Sequence, residues 1–161
     1  MALENILQPK HKVCFWLLLK DMLSTRNILQ RKNIHLETYN CELCHLATEE
    51  TLFHLFQDCP FAKSCWGILN LNTHSQITFR EVILMLRDQL NSDFYLNVVI
   101  LMCWTIWWAR NDLIFNGVGP NIQTCKISFN RELALTLLRA SRDSTSYTIN
   151  GYKIGLNQGQ G

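Results

Sequence analysis

The sequence predicts an all-α protein: a small helical domain organised around one Cys3His zinc site, followed by a long apolar helix and a further helix. Three observations carry this expectation. Apolar residues recur at helical spacing between capping residues, and no alternating run finds a convincing strand partner. Cys41-Glu42-Leu43-Cys44 is a C-x2-C pair, followed by His54 and Cys59 at H-x4-C spacing. Residues 94–109 run sixteen in a row without a charge.

The 161 residues suffice for one ordinary domain, or a small domain plus an extension. With 48% hydrophobic and 17% charged residues, five Trp and eight Phe, the chain has the apolar surface to bury a core. The net charge of +2 argues against a binder driven mainly by electrostatics. Its distribution says more: Lys10, Lys12, Lys20, Arg26, Arg31 and Lys32 make a basic arm, and residues 41–59 then carry Glu42, Glu49, Glu50 and Asp58 with no Lys or Arg. Seven cysteines is an odd number, and Met1 to Pro9 has no charged segment leading into an apolar one. Reduced thiols in an intracellular, reducing compartment are expected, nucleus or cytoplasm undecided, with no disulfide framework.

The first helix is expected over 11–23, and a second from a Ser24 or Thr25 cap to about Lys32, with Ile28 and Leu29 inward. A loop over 33–40 leads to Cys41. Thr48 reads as the cap of the helix that carries His54, with Glu49 and Glu50 against the positive end of its dipole. Pro60 suits the first turn of a helix to about Leu69. After a polar loop over 70–77, Thr78 and Glu81 have capping-box spacing and open a helix to about Leu90. The apolar helix runs from Phe94 to about Phe115, with Asn116-Gly117 as its left-handed end. It is shorter in apolar length than a bilayer needs and holds Tyr95, Asn97 and Thr105, so a buried helix is expected rather than a membrane span. A last helix over 122–140 has Ile127, Phe129, Leu133, Leu137 and Leu138 as its apolar set. Arg110 is read as capping the apolar helix and pairing with Asp112, with phosphate binding as its other reading. The tail from Ser141 is expected to be disordered. The resulting organisation is a tail over 1–9, a zinc domain over 10–72, a helical extension over 78–117, a helix over 121–141 and a disordered tail over 142–161.

Two cysteines separated by two residues bend a tight turn around one ion. His54 lies on a helix and Cys59 just past its end, so a turn and a helix end together close a tetrahedron. Three thiolates and one imidazole are a closed structural set for Zn2+; sulfur donors disfavour magnesium or calcium, and no position is left for catalysis. The ligands are thus Cys41, Cys44, His54 and Cys59. His35 and His45 compete for the imidazole place, and His45 is too close to Cys44 in the chain. Cys65 is a second-rank substitute for Cys59, on an apolar helix face beside Trp66. Metal binding is expected to supply much of the folding free energy of 33–60.

The runs Lys10 to Leu19, Ser24 to Leu29, C-x2-C, Glu49 to Pro60 (E-E-T-L-F-H-L-F-Q-D-C-P) and Trp66 resemble the reverse-transcriptase zinc-binding domain. That domain lies downstream of the polymerase in plant non-LTR (LINE-type) retrotransposon polyproteins. The run Trp104 to Phe115 (W-T-I-W-W-A-R-N-D-L-I-F) looks like the segment that often follows it. The resemblance implies zinc on the same four residues and a role in template binding or integration. It also implies a fragment of such a polyprotein, because no Y-x-D-D run and no ribonuclease H carboxylate set is found.

The expected function is a non-catalytic zinc module that assists RNA or DNA binding through Lys10, Lys12, Lys20, Arg26, Arg31 and Lys32, with Trp16 and Tyr39 available for stacking. All five Trp are read first as core. The alternative is a protein-interaction or structural helical module without nucleic-acid binding, in which residues 94–115 dock on a partner or self-associate. No small-molecule substrate is expected. An enzyme built on Cys14 and His11 lacks an orienting acid.

Overall fold

The computed structural model describes residues 6–73, 77–140, 147–149 and 152–154. Six α-helices follow in order: α1 (Pro9–Leu19), α2 (Arg26–Arg31), α3 (Pro60–Gly67), α4 (Phe79–Leu90), α5 (Tyr95–Asn116) and α6 (Ile122–Ala140). A π-helical turn, His54–Asp58, precedes α3. The fold is all-α as expected, with a Cys3His cluster ahead of the long apolar helix and a further helix after it. The one strand pair among the described residues is Tyr147–Ile149 (β1) against Tyr152–Ile154 (β2), antiparallel with Tyr147 opposite Ile154. It lies in the tail expected to be disordered; the rest of that tail, and residues 74–76 of the polar loop, lie outside the described residues.

Local chemistry sets the helix ends. α1 starts at Pro9, whose missing N–H costs nothing in a first turn. It stops at Leu19, short of the expected 23, because Asp21 takes a left-handed φ of 53°. Thr78 accepts from the Glu81 N–H at 3.3 Å while the Glu81 carboxylate accepts from the Thr78 N–H, the expected capping box of α4. Gly117, at φ 67°, ends α5 where a side chain would be strained.

α5 is the central element, apolar on every side, and α1, α3, α4 and α6 pack around it. It is long and apolar enough to cross a membrane, yet more than half of its most apolar stretch is buried within the chain. Much of the apolar surface of 94–115 is thus covered by the chain's own helices. Trp66 is fully buried, Trp104 and Trp107 are half-buried, and Trp16 and Trp108 are exposed, against the expectation that all five are core. On α6 the buried face is Cys125, Phe129, Leu133 and Leu137; Ile127 and Leu138 face solvent, at 69% and 51% exposure.

Two polar clusters cross this core. Arg110 is buried, and its guanidinium grips Glu50 through Nη2 at 2.6 Å and Nε at 3.2 Å. It also lies over the Trp107 ring at 4.9 Å. Neither the Asp112 pairing nor the phosphate reading of Arg110 holds, since the side chain points inward, where a buried carboxylate needs it. The second cluster joins α1 to α6: Lys10 Nζ lies 2.9 Å from Glu132 Oε1, and the buried His11 Nε2 lies 3.3 Å from Glu132 Oε2 without hydrogen-bonding geometry. Burial pushes the His11 imidazole down to about 4; Glu132 opposes this, and Lys10 and Arg139 reinforce it.

Substituting Glu50→Gln or Arg110→Met singly is expected to cost about 3–5 kcal/mol, since each leaves a buried charge uncompensated. The double substitution Glu50→Leu, Arg110→Met recovers most of that loss, read as urea unfolding midpoints at saturating zinc. Because the folded state holds His11 neutral, the stability it secures is complete above its ordinary pKa of 6.5 and is lost as pH falls toward about 4. Across that interval the parent should lose on the order of 2 kcal/mol more than His11→Gln, measured by denaturation at each pH.

Candidate metal centre

Residues 39–50 fold back on themselves as a short knuckle. The Glu50 N–H donates to the Tyr39 carbonyl at 2.9 Å, and the Cys41 N–H donates to the Thr48 carbonyl at 2.8 Å. Asn40 and Glu49 form an isolated antiparallel bridge between them. This pairing places Cys41 and Cys44 at a reversal, which Ala47 completes with a left-handed φ of 49°.

The knuckle also displaces the helix expected from Thr48. The carbonyl of Thr48 is committed to Cys41 and Glu49 lies in the bridge, while the Glu50 carboxylate meets the start of a different helix, accepting from the Arg26 N–H of α2 at 3.0 Å. Helical backbone starts at Leu52 instead, with Thr51 capping through Oγ1 to the His54 N–H at 3.0 Å. In an α-helix, residues five apart point about 140° from one another, so His54 and Cys59 would diverge. The π-helical turn removes the conflict: the Cys59 N–H donates to the His54 carbonyl five residues back at 2.7 Å, one residue further than in an α-helix. Carbonyls freed by the wider turn find other donors, Phe56 from Trp66 Nε1 at 2.9 Å and Gln57 from Thr73 Oγ1 at 2.8 Å.

These devices bring together the four residues named from spacing. One ligand atom from each of Cys41, Cys44, His54 and Cys59 lies within 4.8 Å of every other. Cys41 Sγ is 3.9 Å from Cys59 Sγ, and Cys44 Sγ is 3.3 Å from His54 Nε2. Tetrahedral zinc with Zn–S of about 2.3 Å sets its sulfurs roughly 3.8 Å apart, so the set fits that ion. Cys41, His54 and Cys59 are buried and Cys44 is half-buried. His35 and His45 are exposed and outside the cluster, and Cys65 is buried on α3, also outside it.

Electrostatics prepares one ligand in particular. The Cys41 thiol donates to Cys59, and the Phe61 and Ala62 N–H groups at the start of α3 also point at its sulfur. Together they hold Cys59 down to about 5 against burial. Cys41 is pushed up, chiefly by giving that hydrogen bond and by burial, and burial also raises Cys44. Three of the four neighbouring acids are neutralised: Glu42 by Arg26 at 2.8 Å, Asp58 by Lys63 at 3.5 Å and Glu50 by Arg110.

The basic arm is less available than its sequence implies. Lys10 is engaged by Glu132, Arg31 by Asp21 at 3.1 Å, and Arg26 by Glu42 and the Thr38 carbonyl. Lys12, Lys20 and Lys32 carry no ion pair among the described residues. Tyr39 hydrogen-bonds the Ile34 carbonyl at 3.1 Å.

Relieving the strained turn is a direct test of the knuckle. Ala47→Gly is expected to stabilise the zinc-loaded chain by about 1 kcal/mol, read from its unfolding midpoint.

Comparison with known proteins bears on this N-terminal part. No curated protein matches the chain, and no solved structure does. Residues 2–66 match the family model described as zinc-binding in reverse transcriptase. The match takes in all four clustered residues, ends at the Trp66 that anchors the π-helical turn, and supports a reverse-transcriptase zinc-binding domain in that segment.

Proposed function

We infer that this chain is a non-catalytic, zinc-stabilised module of the reverse-transcriptase type, and that the ion at Cys41, Cys44, His54 and Cys59 is structural zinc. The observation that carries the reading is the convergence of three thiols and one imidazole within 4.8 Å. Four protein donors fill a tetrahedral shell, so no coordination position remains for a substrate or an activated water. Soft donors select zinc over hard cations, and thiolate ligands suit a reducing intracellular compartment. The order of motifs, extending to Trp104–Phe115, supports descent from a plant LINE-type non-LTR polyprotein.

Assistance to RNA or DNA binding rests on Lys12, Lys20 and Lys32 with the exposed Trp16. Three phosphate contacts give weak binding that falls steeply with salt.

Chain purified under reducing conditions should carry one zinc, Cys41→Ser, Cys44→Ser none, and Cys65→Ser one. A parent that folds without zinc, or a Cys65→Ser chain that loses it, would overturn the assignment. Single-stranded RNA should bind detectably at 20 mM salt and not at 200 mM; no binding at 20 mM would remove the nucleic-acid role.

A further inference from the structure

Outside the metal centre, the described residues line a groove of about 780 Å3. Its sides are the second half of α1 and the first half of α4, and its floor is the 52–57 segment. Phe15, Leu19, Leu52, Phe53, Ile83 and Leu84 supply apolar walls. Several of these, and Trp16 beside them, are left open to solvent: Trp16 is 53% exposed, Leu19 50% and Leu84 44%. An exposed Trp beside exposed leucines at the mouth of a groove is the composition of a binding surface.

The polar groups around the groove are asymmetric. Lys20 and Arg80 stand at its rim with no ion pair among the described residues. Of the acids nearby, Asp21 is offset by Arg31 at 3.1 Å, and Glu81 keeps its charge but turns its carboxylate to Thr78 Oγ1 at 2.7 Å and the Thr78 N–H at 2.6 Å in the capping box. On the floor, Gln57 is 1% exposed and its Oε1 has no hydrogen-bond partner. The complement of this surface is therefore an apolar ridge flanked by negative charge.

We propose that this groove docks an amphipathic helix of a partner protein, with apolar side chains at three- and four-residue spacing and acidic residues beside them. Two helices forming the sides of an apolar trough favour a helix laid between them. The acids pair with Lys20 and Arg80, and a donor on the ridge reaches Gln57 Oε1. Single-stranded nucleic acid fits less well, because the walls are largely aliphatic and two cations hold few phosphates. A second copy of the chain also fits poorly. On α6 its exposed Ile127 and Leu138 lie beside Arg131 and Arg139 and would bring cations to cations, whereas docking through the exposed Trp108 and Phe115 of α5, beside Asp112, would show as concentration-dependent dimerisation lost in Trp16→Ala, Leu84→Ala and would overturn the proposal.

The test uses the full zinc-loaded chain and a displayed library of random 16-residue peptides, counter-selected on Trp16→Ala, Leu84→Ala. Enriched peptides should carry the apolar spacing with Asp or Glu between, and Lys20→Glu, Arg80→Glu should weaken the best of them at least tenfold. Replacing that peptide's acids by Lys should restore binding to the charge-reversed chain. Zinc content and helical circular dichroism, equal in parent and variants, separate loss of docking from loss of fold. Enrichment of basic peptides, binding indifferent to the groove substitutions, no enrichment, or displacement by equimolar single-stranded RNA at 200 mM salt, where the RNA contact is not expected to hold, would each overturn the proposal. A chain without zinc that still selects acidic peptides would sink the zinc assignment and leave the groove standing.

Discussion

A carboxylate with no exposure to water is tolerable only when its charge is met, and the architecture answers to that demand at Glu50. Arg110 meets it from α5, and the Arg26 N–H adds a third donor at 3.0 Å from the start of α2. One side chain thereby fixes the knuckle, the second helix and the central helix relative to each other. Backbone pairing of Tyr39 with Glu50 and of Cys41 with Thr48 holds the knuckle closed on itself, and Glu50 holds it on the body of the protein.

The two constraints act on different scales. The cluster draws together residues 41 to 59, a local closure that the π-helical turn and the first N–H groups of α3 make possible. The ion pair joins residues 50 and 110, across the whole apolar core. Neither substitutes for the other. A closed knuckle without Arg110 would carry a buried charge it cannot satisfy. The ion pair without the cluster would leave Cys41, Cys44 and Cys59 as adjacent thiols with only weak hydrogen bonds among them.

Much of this was legible from residues alone, and the failures are instructive. The four clustered residues follow from spacing, because C-x2-C and a downstream His and Cys have few other uses together. The ends of α4, α5 and α6 follow from Thr78, Glu81, Gly117 and the break at Pro120, all local effects. The helix expected from Thr48 is absent because the Thr48 carbonyl is taken by Cys41, the Glu50 carboxylate by Arg110, and Glu49 stands opposite Asn40 in the bridge, partners that capping rules do not consult. H-x4-C did carry a hint of the π-helical turn, since only a widened turn or a helix end lets such residues converge. Arg110 was misread for a related reason: periodicity marks a position as inward but cannot name a carboxylate sixty residues earlier. Half the basic arm was already engaged by acids from α6, the knuckle and the end of α1, which a count of charges along the chain does not show.

The distance between Glu50 and Arg110 along the chain also sets an order of events during synthesis. The nascent chain completes all four metal ligands once Cys59 has emerged, at a loop-closure cost that grows only slowly with length. Arg110 arrives about fifty residues later, several seconds at ordinary rates of elongation. Until Arg110 has emerged, Glu50 has no guanidinium to meet it, so a knuckle that closes early, with whatever ion its four donors would hold, keeps that carboxylate in water until the helix with the countercharge is made.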